Sequence, residues 1–318
     1  MLGKTNKEKQ MACREIEGHS VHWTDCIQPT PEDLDEIRER FHVSPIHLQD
    51  IRIGGQRPKL EAASDYLFLV LLFPVYNRST REITPSEIDF LVMKDAVVTI
   101  HDGSLASFNE LSSLLQENEG GRQRLLGDGG IGFVYACVDR LLSACNPMLD
   151  HISRDLRTVE QKIFNGAERE MVSDILISRR NITDFRRIMQ AHKNTLRKFV
   201  DAADEHHLFH AQAQATAFNQ LIEQTKELWE HLASFKETVE ALHATNESLI
   251  SHNLNVIMRK YTTISVIIFA MTLVAALFAI EVDGQPLLHL DFGFWYIVLV
   301  EAILGAGLYF IFKRIRWT

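Results

Sequence analysis

Residues 262–280 read TTISVIIFAMTLVAALFAI, nineteen residues without a charge, and residues 294–312 read FWYIVLVEAILGAGLYFIF, equally long with a single acid, Glu301. At about 1.5 Å of rise per residue, a helix of either length spans roughly 30 Å, the thickness of a bilayer's hydrocarbon core. Two such runs joined by a short loop are hard to bury inside a soluble domain, so they read as C-terminal transmembrane helices. Arg259 and Lys260 precede the first run, and Lys313, Arg314 and Arg316 follow the second. The loop of residues 281–293 carries Glu281, Asp283 and Asp291 but no Lys or Arg. Cationic flanks stay inside, which predicts cytoplasmic termini and an outward-facing acidic loop. Trp295, Tyr296 and Trp317 fall where interfacial aromatics belong.

The remaining chain is of ordinary composition. Of 318 residues 46% are hydrophobic, and the last sixty take a disproportionate share. The net charge of -9 argues against a nucleic-acid partner, which would call for a concentrated basic face. The first residues, MLGKTNKEKQMACREIEG, lack the apolar segment of a secretory leader, so the C-terminal runs are expected to direct membrane insertion. Cys13, Cys26, Cys137 and Cys145 form no C-x-x-C pair and read as reduced cytosolic thiols. There is no Gly-rich phosphate loop, nucleophile elbow or H-E-x-x-H motif, so enzymatic chemistry is not expected.

Residues 1–17 read as a polar tail and 18–130 as a cytoplasmic α/β domain. Thr30-Pro31-Glu32-Asp33 has the hydroxyl, proline and early acids of a helix start, and Ser44-Pro45 repeats the signal. Residues 66–76 (YLFLVLLFPVY), 88–93 and 96–101 (AVVTIH) are strand candidates, the first open to a helical reading. The glycines between 120 and 132 suggest a joint. Residues 131–258 read as a helical stalk, broken near Asn165-Gly166 and 201–204 into three helices, and residues 259–318 as the membrane domain. The third stalk helix runs from about residue 205 into the first span. So long a helix needs neighbours for its apolar stripe, which points to an oligomeric bundle.

Alternating steps of four and three pick out Ser251, Asn255, Met258, Thr262, Ser265, Phe269, Thr272 and Ala276. That period keeps one helix face on a shared axis. Within the bilayer the face is small or hydroxylated except at Phe269. It suits either tight dry helix packing or the lining of a wet pore, with Met258 and Phe269 as apolar constrictions. Glu281, first beyond the uncharged run, would in a symmetric oligomer form a carboxylate ring that concentrates cations.

The chain resembles the CorA superfamily of divalent-cation channels and transporters, which includes the ZntB zinc-transport branch. The resemblance covers nearly the full length: Arg57-Pro58-Lys59-Leu60-Glu61 before an apolar strand, Glu87-Ile88-Asp89-Phe90, Val97-Val98-Thr99-Ile100, a long stalk helix, two terminal spans and a basic tail. It implies a homopentameric funnel in which an α+β cytoplasmic domain and a long helical stalk lead to two C-terminal transmembrane helices. It also implies that the first span lines the pore, with Asn255, Met258, Phe269, Thr272, Ala276 and Glu281 at pore positions. The family's Gly-Met-Asn signature is absent. Ala279-Ile280-Glu281 stands in its place, as in a CmaX-like branch, while Pro286-Leu287-Leu288 keeps the register. An amide ring suits hydrated magnesium, which sheds water reluctantly, whereas a glutamate ring suggests broader selectivity over Mg, Zn, Co and Mn. The expected partners are further copies of the chain, the lipid bilayer of a bacterial cytoplasmic membrane and the divalent cations themselves, with no tightly bound cofactor.

Three further sites stand out. His206 and His210, spaced i and i+4 beside Glu205, have the spacing of a two-histidine metal site if helical, although a solvated helix start accounts for them as well. Glu301, inside the second span, is a functional candidate by cost of burial alone. The resemblance implies regulatory metal binding by acids between cytoplasmic subunits, for which Asp89 and Glu87 are candidates. Two other functions fit the same features: a proton-coupled zinc transporter, or a non-conducting metal-sensing scaffold.

Overall fold

The computed structural model describes residues 13–206, 208, 212–280 and 292–315. Contacts divide the chain into two compact units, one of Met1–Asn165 with Glu170–Leu242 and one of Gly166–Arg169 with His243–Thr318.

The first unit is built on six strands: β1 (Cys13–Glu17), β2 (His22–Ile27), β3 (Lys59–Ala62), β4 (Leu67–Asn77), β5 (Glu82–Val92) and β6 (Ala96–His101). They form one sheet in the order β1-β2-β6-β5-β4-β3, with β2 and β6 parallel and the other pairs antiparallel. Helices α1 (Pro31–Phe41) and α2 (Pro45–Ile53) follow β2 and cover one face. Their starts follow from local chemistry. Thr30 Oγ1 accepts from the Asp33 amide while Asp33 Oδ2 accepts from the Thr30 amide, a reciprocal cap, and Ser44 caps α2. Leu34, Ile37, Leu48 and Ile51 turn inward to meet Phe68, Val70, Leu91, Val98 and Ile100.

Helices α3 (Ala106–Glu117) and α5 (Gly129–Ser143) cover the opposite face, with the short α4 (Glu119–Leu125) between them. Here Trp23 stacks near Phe133 and meets Phe108 edge-on. Beside it the fully buried Asp25 accepts from Thr99 Oγ1 at 2.8 Å and Ser112 Oγ at 2.9 Å, with His101 Nε2 at 3.2 Å. The Gly103 amide donates to His101 Nδ1, so Nε2 bears the proton directed at Asp25. One carboxyl thus ties two strands to α3.

The glycine-rich stretch is not a joint: Gly129, Gly130 and Gly132 lie in α5. A Cβ at Gly130 would stand 2.9 Å from the Met93 carbonyl oxygen, so glycine is what lets the helix lie close on the sheet. Cys13–Glu17, expected in the polar tail, form an edge strand. Its register sets Cys13 opposite Cys26, and the two are joined in a disulfide, which corrects the expectation of four reduced thiols. Cys137 and Cys145 are free and buried.

The expected three stalk helices are five: α5, α6 (Asn146–Phe164), α7 (Glu168–Met189), α8 (His192–Glu205) and α9 (Gln212–Phe278). Of the additional breaks, the one at 144–145 is marked by Pro147 in the first turn of α6, and the one at 190–191 carries no Gly or Pro. Within the first unit α9 buries Phe218, Leu221, Ile222, Leu228, Leu232 and Val239, and Phe218 meets the rings of Tyr135 and Phe199.

In the second unit α9 continues from His243 and α10 spans Gly293–Arg314. Thr263, Ile267, Ala270, Met271, Val274 and Phe278 are the covered positions of α9, and Ile297, Glu301, Leu304, Gly305, Leu308 and Phe312 those of α10. Both sets follow steps of three and four, as a helix–helix seam requires. A Cβ on Gly305 would lie 3.1 Å from Met271 Sδ, so the seam closes around that glycine. The other faces are exposed and apolar, including Phe269 at 74% and Trp295 at 66%.

Replacing Asp25 by alanine should strand three buried donors and cost about 3 kcal/mol. Thermal melting of the purified protein is the check: a clear drop in midpoint is expected, and an unchanged midpoint would show that the network does not tie the sheet to α3.

Candidate cation pathway and acidic pocket

The eight stripe residues Ser251, Asn255, Met258, Thr262, Ser265, Phe269, Thr272 and Ala276 are all exposed. At about 100° of rotation per residue, they lie on the side of α9 roughly opposite the seam with α10. The stripe is therefore not consumed by contact within the chain. Thr262 Oγ1 donates to the Met258 carbonyl and Thr272 Oγ1 to the Ile268 carbonyl, each at 2.8 Å. The hydroxyl protons are thus engaged by the helix itself, and the oxygen lone pairs remain available. Met258, 63% exposed, and Phe269 are large apolar groups on this otherwise small face.

Glu281 and His210 lie outside the described residues. His206 caps α8, which ends at Glu205. Glu301 falls on the α10 face turned to α9, away from the stripe-bearing side.

Glu87 and Asp89 do come together. They occupy alternate positions of β5 and therefore project from one face of the sheet. That face is the one under α1 and α2, where both carboxyls line a cavity. Asp89 is buried, 3% exposed, and burial pushes its pKa well above the usual aspartate range, with the neighbouring Glu87 carboxyl adding to the rise. Burial raises Glu87 too, opposed by the Gln56 amide that donates to its Oε2 at 2.7 Å. Among the described residues no group of three His, Cys, Asp or Glu side chains is placed to hold a metal ion. The free thiols are unsuited to ligation, since burial pushes Cys145 up to about 12 and Cys137 well above its usual value. The buried His192 ring is pushed down to about 4 by burial, so it carries no proton traffic near neutral pH.

Sequence reasoning missed the seam positions Thr263, Met271 and Gly305, and the tie made by Asp25 and His101. Gly305-Ala306-Gly307 was the one available signal, since small residues in a span mark close helix approach.

An α+β unit, a helix of 67 residues and two helices long and apolar enough to cross a bilayer define an integral membrane protein with a large soluble part. Residues 18–314 match the family of CorA-like Mg2+ transporter proteins, and the chain belongs to that family. Membership places it among transport proteins and not enzymes. It is 21% identical over 310 residues to the cobalt/magnesium transport protein CorA of Methanocaldococcus jannaschii, covering 95% of this chain and 93% of the relative. It is 21% identical over 297 residues to the cobalt/magnesium transport protein CorA of Thermotoga maritima, covering 93% and 81%. The complete structure of the CorA magnesium transporter from Methanocaldococcus jannaschii has a TM-score of 0.81 at 18% identity, covering 100% of both chains. The full-length CmaX protein has a TM-score of 0.69 at 18% identity, covering 93% of this chain and 89% of that one. The resemblance read from the sequence, the α+β fold and the paired C-terminal apolar helices are thus borne out.

Folded Asp89 holds its proton to higher pH than the unfolded chain does. Between the ordinary aspartate value, about 3.9, and the raised native value, the native state binds more protons, so stability falls as pH rises. Glu61 is lowered chiefly by its hydrogen bond from Lys59, and Asp102 by hydrogen bonds from Ser104 and Ser86 that outweigh its burial. Both act the opposite way, but only at more acid pH. The buried His192, held neutral by a value pushed down to about 4, opposes Asp89 over the same range, so the parent's own slope mixes the two. The difference isolates Asp89: Asp89→Asn should raise the midpoint at pH 7.5 by at least about 2 °C more than it does at pH 5. Parallel pH profiles of parent and variant would refute the assignment.

Proposed function

We propose that the protein transports divalent cations across a bacterial cytoplasmic membrane, both termini cytoplasmic, as a homopentamer whose pore is lined by α9. One observation carries this reading: the stripe is exposed on the side of α9 turned away from α10. Lipid tails cover Phe269 readily but offer nothing to the hydroxyls of Thr262, Ser265 and Thr272 beside it, and further copies of the same face are the natural cover. Family membership supplies the prior for transport, and the names of two relatives point to cobalt and magnesium.

In this reading, residues 18–130 form the cytoplasmic domain, 131–258 the stalk and 259–318 the membrane part. A ring of Glu281 carboxylates concentrates cations at the outer mouth and strips part of their water. Thr272, Ser265 and Thr262 pass them inward, with Ala276 leaving width and Asn255 offering an amide at the inner end. Phe269 and Met258 restrict flow by excluding water when closed. Full carboxylate charge in place of an amide favours breadth, so Mg, Zn, Co and Mn are all expected to pass. Glu301, on the α10 seam, is assigned a packing role.

The test is flux into vesicles carrying the reconstituted protein and a metal-sensitive dye, run competitively over magnesium, zinc, cobalt, manganese and cadmium. Flux of several divalent ions is expected. Glu281→Ala should reduce it by about tenfold or reorder the ions, and Phe269→Ala should raise the resting leak. Absence of flux for every ion would overturn the transport reading, and an unaltered ion order with full flux in Glu281→Ala would remove that residue from the pathway.

A further inference from the structure

The transport reading gives no role to the cavity in the soluble unit that Glu87 and Asp89 line. It lies between the sheet and helices α1 and α2 and has a volume of about 510 Å³. Leu34, Ile51, Leu72, Pro85 and Ile100 give it apolar walls. Asp89 Oδ1 and Glu87 Oε1 are buried with no donor from any other residue, and the two carboxyls hydrogen-bond to each other. A shared proton leaves the pair with acceptor capacity that nothing else in the fold uses. Gly54 and Gly55, with φ of 64° and 67°, border the cavity, and a Cβ on either would meet nothing within 4 Å. That lip leaves the entrance open.

The chemistry of the lining selects the guest. Glu87 and Asp102 line the cavity with Arg52 and with Asp89, whose carboxyl shares a proton with Glu87, so the acid pair remains anionic and attracts positive charge. Asp102 is already satisfied by Ser86 and Ser104, which leaves the Glu87–Asp89 pair as the recognition group. A divalent ion is a poor fit. Among the described residues no three metal-binding side chains are placed to hold one ion, and it would have to keep most of its water against Leu, Ile and Pro. The same walls are what an organic body of matching size buries, in the volume range of small-molecule sites. Forked N–H donors match carboxyl oxygens better than a point charge does.

We propose that this cavity binds a small organic cation, an amidinium or guanidinium on a compact apolar body, whose N–H groups donate to Asp89 Oδ1 and Glu87 Oε1 while its body packs on Leu34, Ile51, Leu72 and Ile100. The site is complete within one chain, and its occupancy is read without reference to ion flux.

Benzamidine is a suitable probe, tested on the full-length chain in detergent micelles by calorimetric titration and by its effect on the melting midpoint. Saturable binding and a raised midpoint are expected. The neutral isostere benzamide should bind at least about tenfold more weakly. Asp89→Asn and Glu87→Gln, which keep side-chain volume, should each weaken benzamidine at least about tenfold, and Leu34→Trp, which fills the cavity, should abolish it. The proposal is overturned if benzamidine fails to saturate by about 10 mM, if both isosteric variants bind it like the parent, or if Mn2+ followed by electron paramagnetic resonance is the ligand that those variants lose. Because none of these readouts depends on transport, loss of the flux reading would leave the result standing, and the reverse holds too.

Discussion

Inside hydrocarbon, a backbone amide or carbonyl without a partner costs several kcal/mol, and a large apolar side chain in water is held there only by covalent attachment. Helices α9 and α10 satisfy their own backbone groups and display Ile268, Leu273, Leu277, Trp295 and Ile303 outward, so they belong in a bilayer. Everything else adjusts to that. Their seam is narrow and depends on Gly305 meeting Met271. It leaves the small, hydroxylated face of α9 uncovered, and a face neither fully apolar nor charged is ill suited to lipid. In the proposed oligomer, that mismatch is what further copies of the chain would cover.

The soluble unit treats its two buried aspartates in opposite ways. Asp25 accepts from three side chains and serves as a fastener between the sheet and α3. Asp89, two strands away on the other face, retains an oxygen that no residue outside its pairing with Glu87 serves. A fold that satisfies one carboxyl so fully has the means to satisfy the other. Buried polar atoms left open in this way usually belong to sites that something else completes.

Much of this was legible from residues 262–280 and 294–312 alone, because charge-free runs of that length are rare outside membranes. Strand β4 was legible because a strand covered on both faces is apolar throughout, and α1 and α2 announced themselves through Thr30 and Ser44. Strand β2 was not, since HWTDCI looks polar until Thr24 and Asp25 are seen to be buried. Strand β3 is four residues long and carries two charges. The Cys13–Cys26 bond depends on a register that exists only once β1 and β2 pair. The break before α6 was signalled by Pro147, in that helix's first turn, whereas no glycine or proline announces the one before α8. The stripe was readable as a period, but which way it faces depends on where α10 lies. The open oxygens of Glu87 and Asp89 are a tertiary property entirely.

Thr262 and Thr272 fold their hydroxyl protons back onto their own helix. A surface so arranged has polarity of one sign while bearing no formal charge. Lining the proposed pore, it would welcome a passing metal ion and offer nothing to chloride. It would also avoid the heavy solvation penalty that a ring of carboxylates would incur at the same depth in the membrane. Threonine would thus let the middle of the helix discriminate by sign without any formal charge.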